Sequence, residues 1–139
     1  MIGGVVLDTS ALLDVAAGST IYGQAFVAAA AQRGIVLLVP STCLSQAWAV
    51  LPAADLSLLE LLLELPVVVV DDMDSAVARS AGHALRAAPG MTGDQLLSLT
   101  AEGHVVRAAR DRGWRVLTRA PDRLWAIDPG LVLEIPPET

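Results

Sequence analysis

Short apolar runs that recur between helical patterns constrain this chain more than any other feature. Gly4-Val5-Val6-Leu7 and residues 35–39, 67–70 and 114–118 are brief and mostly apolar, and rich in valine. They show no regular alternation of apolar and polar residues, so they fit strands buried on both faces. Strands of that kind, separated by helices, make a parallel sheet covered on both sides. The expected fold is therefore α/β, a three-layer α/β/α sandwich with a central parallel sheet. Residues 131–135 add a weak last strand.

Helical patterns cover residues 10–17, 20–33, 41–51, 56–65, 74–88 and 94–112. Gly18 and Gly34 follow the first two and suit a left-handed helix cap. Ser41 or Thr42 is the expected N-cap of the third helix, and Pro52 ends it. Pro89-Gly90-Met91-Thr92-Gly93 is the clearest loop. No internal repeat or low-complexity linker interrupts the pattern, so residues 1–139 read as one domain with room for a real core.

The chain is 54% apolar, which excludes disorder. Cys43 has no second cysteine to pair with, so a reducing compartment is expected. No basic stretch precedes the first apolar run, so no signal peptide is read and a cytoplasmic location is expected. Residues 56–70 are rich in leucine and valine, but Glu60, Glu64 and Pro66 interrupt them. The stretch is also shorter than the ~20 residues of a spanning helix, so no membrane association is expected. The helix at 56–65 has only Ser57, Glu60 and Glu64 as polar positions. That stripe suits burial either inside the domain or against a second copy or another protein, and a homodimer is the expected state.

The net charge is -6, with nine basic residues, all arginine. Nucleic acid repels such a chain at long range. Six arginines nevertheless crowd into one stretch: Arg107, Arg110, Arg112, Arg115, Arg119 and Arg123. They read either as a solvated helix face or as a phosphate-binding patch, in which Arg107, Arg110, Arg115 and Arg119 would contact RNA.

In open α/β sheets, ligands bind beyond the carboxyl ends of the strands. Asp8 follows the first strand directly, and residues 118–122 leave a later strand at the same end. On the 94–112 helix, Leu99, Glu102, Val105, Val106 and Ala109 share one face by spacing. Gly103, His104, Arg107, Arg110 and Asp111 form the polar face opposite. Glu102 thus falls in an apolar stripe, where a carboxylate is costly unless an arginine or a metal neutralises it. Asp8 and Glu102 together would suit Mg²⁺ or Mn²⁺, which take oxygen ligands and position water for attack on a phosphodiester. Ser10 reads as the N-cap of the first helix, and Thr118 as a hydrogen bonder at a strand end. His83 and His104 lie on different helices, so nothing pairs them as acid and base. Cys43 sits in an apolar helix and reads as packed rather than nucleophilic.

Three segments, in order, resemble the PIN-domain family, especially its VapC-type toxins. They are Val5-Val6-Leu7-Asp8-Thr9-Ser10-Ala11-Leu12-Leu13, then Pro40-Ser41-Thr42-Cys43-Leu44-Ser45-Gln46, then Glu102-Gly103-His104-Val105-Val106-Arg107 with Gly113-Trp114-Arg115-Val116-Leu117-Thr118. The resemblance runs from Val5 to about Asp128. It implies a central parallel sheet, an endoribonuclease using Mg²⁺ or Mn²⁺, an RNA substrate and a cognate antitoxin. It also implies three or four metal-binding carboxylates. Matched by position, the first is Asp8 and the third is Glu102. The second position holds Gln46, which offers an uncharged carbonyl oxygen, and the fourth holds Ala120, which offers nothing. Asp122 is the nearest substitute for the fourth, with Asp94 and Asp14 further candidates that suit capping or solvent. The resemblance therefore carries two functions: a weakened metal-dependent ribonuclease, or an inactive domain kept as a binding or assembly module.

Overall fold

The computed structural model describes residues 3–18 and 20–137. Its strands are β1 (Gly4–Leu7), β2 (Val36–Pro40), β3 (Val68–Asp71), β4 (Arg115–Leu117) and β5 (Leu133–Glu134). They form one sheet in the order β3-β2-β1-β4-β5, and every neighbouring pair is parallel. The runs at β1, β2 and β4 are strands for the expected reason, but β3 corrects the expectation of burial on both faces: at the sheet edge, Val69 and Val70 are 46% and 37% exposed. Val5, Val6, Leu7, Leu37, Val39 and Val116 are wholly buried, so β1, β2 and β4 present no polar face to water.

The helices are α1 (Thr9–Ala17), α2 (Ile21–Arg33), α3 (Ser41–Val50), α4 (Ala53–Glu64), α5 (Ser75–Arg86), α6 (Gly93–Leu97), α7 (Thr100–Arg112) and α8 (Pro121–Trp125). From β1 the chain steps outward to β2 and β3, then returns across the sheet to β4. Helix α1 packs against α2, α3 and α4, and α5 packs against α7, the grouping that right-handed crossovers in opposite directions produce on the two faces. The reversal also makes the carboxyl ends of β1 and β4 a switch point, where the chain leaves the sheet in opposite directions. Among the described residues, no single helix is long and apolar enough to cross a membrane.

Gly18 and Gly34 close α1 and α2 at φ 62° and 69°, as their sequence positions led us to expect. Other local expectations need correction. The helix expected over 94–112 is two helices, α6 and α7, separated by a turn at Ser98 and Leu99. The hydroxyls of Ser98 and Thr100 donate to the carbonyls of Gln95 and Leu97, competing with a continuous helical ladder. Neither Ser41 nor Thr42 caps α3, because Pro40 holds that position. Their hydroxyls serve tertiary contacts instead: the Ser41 hydroxyl accepts from the Met73 amide at 2.9 Å, and that of Thr42 bonds His104 Nδ1 at 2.9 Å.

The expected polar face of α7 holds at Arg107, Arg110 and Asp111 but not at its first two members. Gly103 and His104 are both buried, since α5 covers the side of α7 that faces away from the sheet. A Cβ on Gly103 would lie 2.8 Å from Leu85 Cγ, so only glycine permits that approach. His104 is inaccessible to solvent, and its Nε2 meets Asp71 Oδ2 at 2.8 Å. Asp71 also holds Arg112 at 3.3 Å. One buried ring therefore ties α3, β3 and α7 together.

The leucine-rich helix is only half inside. Leu59 and Leu62 of α4 are buried, whereas Leu58 and Leu61 are 41% and 59% exposed.

Candidate active-site cleft

The carboxyl ends of β1 and β4 meet at Asp8, which is also the N-cap of α1. Its Oδ1 accepts from the Ala11 amide at 2.9 Å and from the Ser10 hydroxyl at 2.6 Å. Its Oδ2 accepts from the Thr118 hydroxyl at 2.5 Å. Ser10 is thus not the cap but a donor to the cap. The same two hydroxyls accept from the amides of Arg119 and Ala120, which fixes the loop after β4 against the start of α1. Thr118 hydrogen-bonds at its strand end, as its position suggested.

Asp8 is 6% exposed, and burial pushes its carboxyl above the ordinary value. Donors from Ser10, Thr118 and Ala11 oppose that shift, and the charge of Glu102 adds to it. A carboxyl with a raised folded value stabilises the fold fully below its ordinary value near 3.8. That contribution is lost as pH rises through the raised value. Asp128 shifts the other way, lowered first by its hydrogen bond from Arg110, so its contribution rises with pH. Comparison of wild type with Asp8→Asn cancels the Asp128 effect. We expect the melting temperature of Asp8→Asn, relative to wild type, to climb between about pH 4 and pH 7. Thermal melts across that range check it, and a pH-independent difference would mean Asp8 titrates normally.

Glu102 enters the same cleft from the first turn of α7. Its Oε2 pairs with Arg123, with Nη2 at 3.1 Å and Nε at 3.2 Å. Its Oε1 is buried and has no hydrogen-bond partner among the described residues. Gln46 lies at the rim, where its Oε1 accepts from the Thr9 hydroxyl at 2.7 Å. The cleft encloses about 250 Å³, and Ala120 lines it where a side-chain ligand would otherwise stand.

Of the expected ligands, Asp8, Glu102 and Gln46 therefore share one cleft, and Asp122 does not. Asp122 sits exposed in the first turn of α8 and lines no part of it. The next residue, Arg123, takes the place instead. No sequence expectation placed a helix at α8, whose first turn begins at Pro121 and turns Arg123 inward. Asp94 is exposed on α6. Asp14 is neither a cleft ligand nor a solvent-facing residue: it is 5% exposed, accepts from Thr20 and pairs with Arg119 at 3.6 Å.

Among the described residues, no group of three histidine, cysteine, aspartate or glutamate side chains converges on a metal position. In the cleft, both Asp8 oxygens and one Glu102 oxygen already accept hydrogen bonds from protein donors. A carboxylate oxygen has a further lone pair, so these bonds do not themselves exclude a cation. The poor fit for Mg²⁺ or Mn²⁺ is one of charge, since Arg123 neutralises Glu102 and Gln46 is a neutral amide. Cys43 also borders the cleft, but its thiol is pushed up to about 12, first by burial, so it is no thiolate nucleophile. His83 is exposed on α5, while His104 lies buried beyond Thr42 and Asp71.

The arginine stretch does not form one patch. Arg110, Arg112 and Arg115 border a groove beside Gly3 and Gly4, at the amino end of the sheet. Arg123 lies at the other end. Most of these charges are also neutralised: Arg107 by Asp111, Arg110 by Asp128, Arg112 by Asp71 and Arg119 by Asp14. Arg115 lies over the Phe26 ring. Helix α7 and the strand after it carry these residues to opposite ends of the domain, which a linear count of charges does not register.

No family model matches the sequence, and no curated protein matches it. The fold does have a solved counterpart, a chain in the crystal structure of VapBC2 from Rickettsia felis bound to a DNA fragment from their promoter. The TM-score is 0.65 over 95% of this chain and 98% of that one. The fold is PIN-like. Sequence identity is 14%, so the likeness concerns architecture alone. The resemblance read from the sequence holds at that level, and the cleft has to be judged on its own residues.

Proposed function

We propose that this chain is a PIN-fold protein of VapC type that has lost the metal-dependent hydrolysis of its relatives and works by binding. The Arg123–Glu102 pair carries this reading. The guanidinium supplies, from within the chain, the positive charge that a dication would bring. Arginine stays charged at any physiological pH, so this counter-ion is permanent. Glutamine at position 46 and alanine at position 120 agree with it, because they lack the negative charge that would let a metal ion displace the arginine from Glu102. A protein partner of antitoxin type fits the binding role, since the solved counterpart is itself a chain of the VapBC2 complex.

A second reading, a weakened ribonuclease holding a single Mg²⁺ or Mn²⁺, draws on the unpartnered Oε1 of Glu102 beside Asp8. Calorimetric titration with Mn²⁺ separates the two. The proposal predicts no binding heat up to about 1 mM in either wild type or Asp8→Asn. Micromolar binding in wild type that disappears in Asp8→Asn would establish the second reading.

A further inference from the structure

The groove at the amino end of the sheet has a composition of its own: three arginines, a tryptophan and an apolar wall. It encloses about 650 Å³, a size that suits a small organic ligand. A Cβ on Gly4 would collide with the Trp114 ring, so the indole lies directly on the β1 backbone. The Arg112 guanidinium sits over the same ring, 5.8 Å from its centroid. Trp114 is only half-buried, and Ile35 and Leu131 continue the apolar surface beside it. Arg110 and Arg112 also have ordinary duties. They lie in the last turn of α7, where a cation suits the helix dipole, and they pair with Asp128 and Asp71. Arg115 has no such duty: it pairs with no acid among the described residues and lies over the Phe26 ring. Asp128 is the one acid among the described residues that line the groove, and Arg110 and the Gly130 amide already satisfy it. The lining is therefore positive by two charges, on a chain of net charge -6. Arg33, Arg79 and Arg86 stand apart from this arrangement. Arg33 does not border the groove, and the α5–α6 groove beside Arg79 and Arg86 has neither an indole nor a phenyl ring.

We propose that this groove binds a small phosphorylated ligand with a planar ring, the chemistry of a nucleoside monophosphate. The phosphate goes to the arginines, Arg115 first, because a guanidinium fork without an acid partner matches a phosphate bidentately. The ring goes to the apolar wall and the exposed part of the indole, which suit a flat face. Inorganic phosphate alone would leave that wall facing water, and a nucleoside without phosphate would leave Arg115 unpaired. A long polynucleotide is the poorer occupant, since a chain of net charge -6 repels a polyanion far more than a ligand of about two charges. The groove shares no lining residue with the acidic cleft at the other end of the sheet. The proposal therefore stands or falls separately from the cleft's ability to hold a cation.

Calorimetric titration of the intact chain with adenosine monophosphate, in metal-free buffer, tests it. Wild type should bind with a dissociation constant of about 100 µM or tighter. Adenosine and inorganic phosphate should each bind at least about tenfold more weakly, because each satisfies only half of the groove. Arg115 and Arg79 are both exposed, so Arg115→Gln and Arg79→Gln should fold, which circular dichroism verifies. Arg115→Gln should lose about tenfold or more in affinity for the nucleotide, and Arg79→Gln should bind it as wild type does. Arg115→Lys, which keeps the charge but not the fork, should fall between wild type and Arg115→Gln. The proposal is overturned if wild type gives no binding heat up to about 1 mM nucleotide, or if an RNA oligomer binds where the mononucleotide does not. It is equally overturned if adenosine or phosphate binds as tightly as the nucleotide, or if Arg115→Gln binds it as wild type does.

Discussion

Replacing His104 with alanine should lower the stability of this fold by about 3 kcal/mol, the largest effect expected of any single change described above. The ring is wholly buried, and both of its nitrogens are hydrogen-bonded, one to Thr42 and one to Asp71. Its removal leaves a cavity and also strips a partner from two polar groups. The Asp71 carboxylate would retain only Arg112, at 3.3 Å. Because the three residues come from α7, α3 and β3, the loss is shared by three elements and should appear in the global transition. For a domain of this size, about 3 kcal/mol corresponds to a fall of roughly 10 °C in melting temperature. Thermal denaturation measures it directly. A fall of only about 2 °C would show that the network is an accessory to packing already sufficient without it.

The second large effect concerns the cleft. A triple variant, Gln46→Glu with Ala120→Asp and Arg123→Ala, removes the internal cation and returns acids to the two positions that lack them. Asp8, Glu102 and the two new carboxylates would then repel one another, so the variant should melt below wild type in metal-free buffer. The same four carboxylates should bind Mn²⁺ and recover the loss. Binding at a hundredfold excess over the dissociation constant stabilises by about 2.7 kcal/mol, or roughly 8 °C here. Wild type should show no such shift. If the triple variant melts identically with and without Mn²⁺, the cleft lacks the geometry for a metal as well as the charge.

The architecture was legible because its cause is local. Val5, Val6 and Leu7 have no polar neighbour on either side of the strand, and only a doubly covered parallel sheet accommodates that. Asp8 was legible for the same reason: it is the first polar residue after a buried strand, so it must lie at the sheet's carboxyl edge. What escaped was set by tertiary packing. His104 occupies a polar-looking helix position, and only the proximity of α5, Thr42 and Asp71 makes that position interior. The α6–α7 break depends on serine and threonine hydroxyls that bond back to carbonyls, a choice that periodicity does not reveal. Arg123 was read as one of six arginines in a run, and its role appears only once the turn at Pro121 carries it to Glu102. Asp122, the candidate substitute, stands one residue from the side chain that does line the cleft, and a one-residue change along a helix is a rotation of about 100°.

Hydrolysis of RNA by wild type and Asp8→Asn, purified side by side in the same manner, tests the central claim most directly. Any contaminating ribonuclease is then common to both preparations, and only activity that depends on Asp8 separates them. With a fluorogenic RNA and about 1 mM Mn²⁺, loss of hydrolysis predicts the same residual rate in the two samples. A wild-type rate tenfold or more above that of Asp8→Asn, roughly 1.4 kcal/mol of barrier, would contradict it and show that the cleft still cleaves RNA.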